Sequence, residues 1–156
     1  MKAHKLWFVA LGLAGVLECG MALYHFVLPY HMGWAQGHGV ENLPDSMAWA
    51  LYALNFSWSL LLVCVSSLII YAAALGPTSG TFMRRAVFTV GLFWAIHGTY
   101  VWFNPMPLPD RLVWLKFVLA AFPATLVVLH WIPLMVGDAE SERVIPSPAD
   151  VAVRIQ

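Results

Sequence analysis

Charge is what this chain has least of. Only 10% of its 156 residues are Asp, Glu, Lys or Arg, against about 25% in a soluble domain of ordinary composition. The hydrophobic share is 61%. So little charge cannot clothe a water-soluble surface, and the mean hydropathy of +0.75 points to a membrane class. Basic and acidic residues balance at a formal net charge of zero, which removes the footprint of a nucleic-acid binder. Cysteine is scarce too. Cys19 and Cys64 are too few and too far apart for a disulfide framework, a CxxC redox centre or a zinc knuckle. Both fall inside apolar runs and read as buried thiols acting as small hydrophobes. No Walker loop, serine nucleophile elbow, HExxH motif or internal repeat is present, so nothing supports hydrolysis or phosphoryl transfer.

What the chain does have is apolar length. Four stretches, 6–28, 49–75, 86–103 and 112–136, approach or exceed the roughly 20 residues that a helix needs to cross hydrocarbon. The connection 29–48 is long and mixed, while 76–85 and 104–111 are short and rich in Gly or Pro, as tight helix connections are. Lys2 and Lys5 precede the first stretch, Arg84 and Arg85 sit in the second connection, and the first connection holds Glu41 and Asp45 without Lys or Arg. The positive-inside rule then places the N-terminus, second connection and C-terminus in the cytoplasm. Arg111 is offset by Asp110, and Lys116 can snorkel outward.

The expectation is an all-α membrane protein: four transmembrane helices in an up-down bundle, N-terminus and C-terminus cytoplasmic, in a membrane such as the cell inner membrane. Residues 1–136 would form the transmembrane domain and 137–156 a polar cytoplasmic tail, where Pro146 and Pro148 end any helix. Trp7, Trp34, Trp49, Trp102, Trp114 and Trp131 fall near expected interfaces, where an indole is most stable; Trp58 and Trp94 fall inside spans and read as packing residues. The start of the chain also resembles a signal peptide, with Gly20, Met21 and Ala22 as a passable cleavage site. The apolar run continues to Leu28, which favours an uncleaved anchor, and Glu18 spoils a lipoprotein box at Cys19.

Glu18 stands about two-thirds along the first run, where an ionisable group costs roughly 3 kcal/mol and usually marks a protein interior or a function. His25 follows seven residues on, two turns along the same face. Asn55, Ser59 and Ser66 make one stripe; His97, Tyr100 and Asn104 a second; Lys116, Pro123 and His130 a third. Each helix thus has one polar edge, expected to face a common interior. His25, Asn55 and His97 would share an outer layer with Glu18 roughly 10 Å deeper, and His130 would be an interfacial residue on the cytoplasmic side. The ligand-binding candidates are therefore Glu18, His25, Asn55, His97 and Tyr100, with Glu18 the candidate catalytic acid or base. The plainer alternative makes Asn55, Ser59 and Ser66 interhelical glue, worth on the order of 0.6 kcal/mol each.

Several chemistries suit that set. Glu18 and His25 are too far apart on one helix to share a metal. His25, His31, Met32 and His38 could gather a copper ion if Pro29 broke the helix and let His31 fold back; His97 is a further metal candidate. His25 and His97 could ligate a haem between helices, with Gly91, Gly98 and Ala22 making room. A quinone-like or other lipophilic ligand could sit among Tyr24, Trp58, Trp94 and Tyr100, with Glu18 and His25 handling protons, as in a redox or lipid-modifying enzyme. The leading expectation is an accessory or assembly subunit of a larger membrane complex, docking through the small surfaces of Gly12, Gly15, Gly20, Gly91 and Ala95.

Overall fold

The computed structural model describes residues 2–34, 41–104 and 113–144. They form four helices: α1 (Lys2–His31), α2 (Asp45–Leu75), α3 (Gly80–Phe103) and α4 (Val113–Val144). All the regular structure among the described residues is helical. Each helix contains a stretch long and apolar enough to cross a membrane. Even the 24 residues of α3 extend about 36 Å, more than the ~30 Å of a hydrocarbon core. Four such helices mark the chain as a small membrane protein.

The helices overrun the apolar stretches, because backbone hydrogen bonding does not stop where hydrophobicity does. α2 begins at Asp45, whose carboxylate lies in the first turn, where the positive end of the helix dipole favours an anion. Just before it, the Pro44 carbonyl accepts from the N–H groups of Met47 and Ala48 at 2.8 and 3.0 Å. α3 begins at Gly80, so Arg84 and Arg85, assigned to a connection from hydropathy, are helical. α4 runs to Val144, whereas its apolar span ends at Val136. His38, Asp110, Arg111, Pro146 and Pro148 lie outside the described residues.

The chain divides into two compact units, one of Gly12–Tyr71 and one of Met1–Leu11 with Ala72–Gln156. Within Gly12–Tyr71, α1 and α2 run antiparallel: Gly15 meets Ser66 and Ile70, His25 meets Asn55, and Phe26 meets Phe56. A Cβ at Gly15 would lie 2.5 Å from Ile70 Cγ1 and 3.2 Å from the Ser66 carbonyl oxygen, so only glycine allows this approach. The buried residues here are Ala14, Glu18 and Ala22 at four-residue spacing on α1, with Ser59 and Ser66 beside Leu62 and Ile69 on α2. Cys64, expected to be buried, faces outward, and Cys19 is half-buried.

The other unit is built on rings. Trp7, grouped from sequence with the interfacial indoles, is fully buried. Its Nε1–H donates to the Ala72 carbonyl at 2.8 Å, which removes the need for an aqueous partner. The Arg84 guanidinium stands 5.9 Å over the same indole and donates to the Leu134 carbonyl at 3.3 Å. Gly76 turns the chain after α2 with φ +78°, and the His4 imidazole lies where its side chain would be. α3 and α4 are also antiparallel. Trp131 and His130 pack onto Gly91, Pro123 packs onto Gly98, and Phe88 stacks on Trp131 at 5.6 Å and 13°. Met83, Val87, Trp94, Leu126 and Leu134 are buried around them.

Candidate functional site

Pro29 is the starting point. A proline has no N–H, so it cannot serve the carbonyl four residues back, which here belongs to His25. The expected outcome was a broken helix, with His31 free to fold back. Instead α1 passes through Pro29 to His31, and Met32 N–H still bonds the Leu28 carbonyl at 2.8 Å. The helix survives because the stripped carbonyl is served from the opposite helix: Asn55 Nδ2–H donates to the His25 carbonyl at 2.7 Å. An unserved carbonyl in hydrocarbon costs several kcal/mol, and intramembrane prolines persist where a neighbour meets that need.

The same amide holds the ring of His25. Asn55 Oδ1 lies 3.1 Å from His25 Nδ1. A carbonyl oxygen can only accept, so Nδ2 must face it and Oδ1 must face the imidazole. His25 Nδ1–H is therefore the donor of the second bond. One side chain thus clamps both the backbone and the ring of one residue. Among the described residues, no group bonds Nε2. Tyr24 and Trp58 flank the imidazole with centroids at 6.2 and 6.4 Å, both edge-on. His31 is exposed, 6.5 Å from the Tyr24 ring.

Ser59 and Ser66 do not act as glue. Ser59 Oγ–H donates to the Asn55 carbonyl at 2.8 Å and Ser66 Oγ–H to the Val63 carbonyl at 3.0 Å, both within α2, as buried helix hydroxyls commonly do. Glu18 is 0% exposed, one turn from Ala14 and from Ala22, which are equally buried.

The chain has no match among protein-family models, curated proteins or solved structures.

The remaining candidates belong to the other unit. His97 stacks on Phe93 at 6.1 Å and 14° and meets the Trp94 ring edge-on at 5.6 Å. Tyr100 is 64% exposed. His130, expected at an interface, is fully buried, and its Nδ1–H donates to the Leu126 carbonyl at 2.7 Å. The cause is Gly91: a Cβ there would lie 3.0 Å from His130 Cβ, so the bare backbone of α3 admits α4 closely enough to bury the ring. The seven-residue stripe of Lys116, Pro123 and His130 carried that signal; depth along the span concealed it.

No group of three His, Cys, Asp or Glu side chains able to hold a metal occurs among the described residues. A groove of about 660 Å³ runs along α3 and α4 past Trp94, Gly98, Trp102, Phe117 and Ala121. Its size suits a ligand, but its lining lacks the convergent polar groups that fix an orientation.

Proposed function

We propose that this chain is a small polytopic membrane protein that binds a lipophilic, quinone-like ligand, with His25 as the residue that reads the polar head group. The observation behind it is the double clamp from Asn55. Repairing the carbonyl left by Pro29 requires only the Nδ2–H bond. The second bond to the ring does nothing for the backbone; it orients an imidazole, which is what a binding or proton-handling histidine requires. Tyr24 and Trp58 supply aromatic walls. Glu18, buried two turns along the same helix, is the proposed acid or base of any chemistry on the ligand.

In this reading the four helices cross in up-down order, both termini are cytoplasmic, the site lies in the outer half of the cell inner membrane, and 137–156 form the tail. A second reading, an accessory subunit of a larger complex, draws support from Gly12 and Gly20, which have open space where a side chain would be. Gly15 and Gly91 lend it none, since the chain's own helices pack onto them.

The test is quenching of intrinsic tryptophan fluorescence by a short-chain alkyl hydroquinone kept in its reduced form, on full-length protein in nanodiscs. Saturable quenching that His25→Ala removes and Cys64→Ser preserves is the expected result. Quenching indifferent to His25→Ala overturns the ligand reading. Co-purification of a larger complex without any extractable ligand would favour the accessory one.

A further inference from the structure

We infer that His25 is held as a hydrogen-bond acceptor, so that its site selects a head group presenting a phenolic or quinol hydroxyl over the corresponding quinone or ether. This rests on the ligand reading above and adds the polarity of the recognition.

The chain of reasoning begins at the backbone. Pro29 cannot donate to the His25 carbonyl; that carbonyl takes Asn55 Nδ2–H at 2.7 Å. The amide has one remaining end, Oδ1, and it stands 3.1 Å from His25 Nδ1. Oδ1 accepts, so Nδ1 keeps its proton. A neutral imidazole has one N–H and one lone pair, which leaves the lone pair on Nε2. The proline thereby dictates the tautomer: the carbonyl it exposes turns the amide, and the amide selects the protonated nitrogen. Had the amide been free to reverse, Nδ2 could have donated to Nδ1 and Nε2 would carry the hydrogen. The carbonyl forbids that reversal.

An imidazole held so that it presents an acceptor distinguishes ligands by their donors. A hydroxyl satisfies Nε2, whereas a quinone carbonyl or methyl ether opposes one lone pair to another and leaves Nε2 unpaired. The flanking rings of Tyr24 and Trp58 favour a flat aromatic head over an aliphatic alcohol. The reduced, hydroxyl-bearing member of a quinol–quinone pair is thus the preferred partner.

Two measurements on the full chain in phosphatidylcholine nanodiscs test this. The first is nitrogen NMR of histidine-labelled protein near neutral pH, with His25→Gln to assign the signal. The expected spectrum has a protonated Nδ1 and an unprotonated Nε2 at His25. A protonated Nε2, whether in the other tautomer or in an imidazolium, overturns the inference with no ligand involved. Asn55→Leu should free the ring into mixed tautomers; should that variant not fold, Pro29→Ala with Asn55→Leu returns an N–H to the carbonyl and allows the same reading.

The second compares binding of an alkyl hydroquinone, its dimethyl ether and the matching benzoquinone. The hydroquinone should bind about tenfold tighter than either, and His25→Ala should erase the gap. Equal binding of the three, with the expected tautomer in place, overturns the selectivity and leaves the ligand reading standing. His25-independent binding of all three overturns the ligand reading itself.

Discussion

In the α1–α2 pair a proline within a helix exposes a carbonyl, and a side chain from the opposite helix has to serve it. In the α3–α4 pair a proline within a helix is a knob: Pro123 presses its ring onto Gly98. Both pairs place a glycine where the facing helix packs against bare backbone, Gly15 in one and Gly91 in the other. What they bury differs. Around α1 and α2 it includes Glu18, Ser59 and Ser66 beside Leu62 and Ile69; around α3 and α4 it is chiefly Trp94, Val87, Met83 and Leu126, together with His130. The second pair is held by small residues and stacked rings, with the Arg84 guanidinium and the Trp131 indole N–H each donating to a carbonyl of the facing helix. Each pair holds an imidazole through Nδ1, but His130 bonds a carbonyl of its own helix, whereas His25 is bonded by a side chain of the facing helix.

The comparison breaks first, and by the widest margin, at Asn55. Asn55→Leu should destabilise the protein by about 2 kcal/mol, because it strands a carbonyl already deprived of its own donor. Pro29→Ala restores an N–H four residues after His25, so the same Asn55→Leu change on that background should cost about half as much. A coupling of about 1 kcal/mol in this double-mutant cycle, read from reversible unfolding in mixed micelles, is the expected outcome. Additive effects would mean that Asn55 does not serve the carbonyl.

Next come the two glycines. Gly15→Ala and Gly91→Ala should each cost about 1–2 kcal/mol by overpacking, since each added methyl collides with a neighbour on the facing helix: Ile70 in one case, Trp131 in the other. Gly91→Ala should be the harsher. Its neighbour is a rigid indole already stacked on Phe88, whereas Ile70 has a rotatable chain that can give way. Equal losses would indicate that the α2 backbone, 3.2 Å from the Gly15 position, limits relaxation more than the side chain does.

The four helices were legible because each contains an apolar stretch that no soluble element needs. Their ends were not, since Arg84, Arg85 and the polar residues after Val136 continue a helix beyond the part that hydropathy detects. Glu18 and His25 stood out as polar groups among apolar ones, and matching depth paired His25 with Asn55. The link through Pro29 is also in the chain, four residues after His25, but in sequence a proline reads as a break, and only a donor on the opposite helix makes it otherwise. Trp7 was ambiguous for a related reason. An indole N–H is satisfied equally by interfacial water or by a carbonyl such as that of Ala72, and hydropathy does not separate the two.

The smallest expected effect is at Gly20. A Cβ there meets nothing within 4 Å, so Gly20→Ala should leave stability within about 0.5 kcal/mol of the starting protein, with the better helix propensity of alanine offsetting any local change. Set beside Gly15→Ala on the same helix, it separates glycines used to pack this chain from glycines that are merely open. It also bears on the accessory-subunit reading. A partner helix seated at Gly20 would be pushed away by a larger side chain, so Gly20→Leu should reduce co-purification of such a partner while leaving the isolated chain as stable as before. Unchanged stability together with unchanged company would leave Gly20 facing lipid, and the clamp at His25 as the feature that sets the two helix pairs apart.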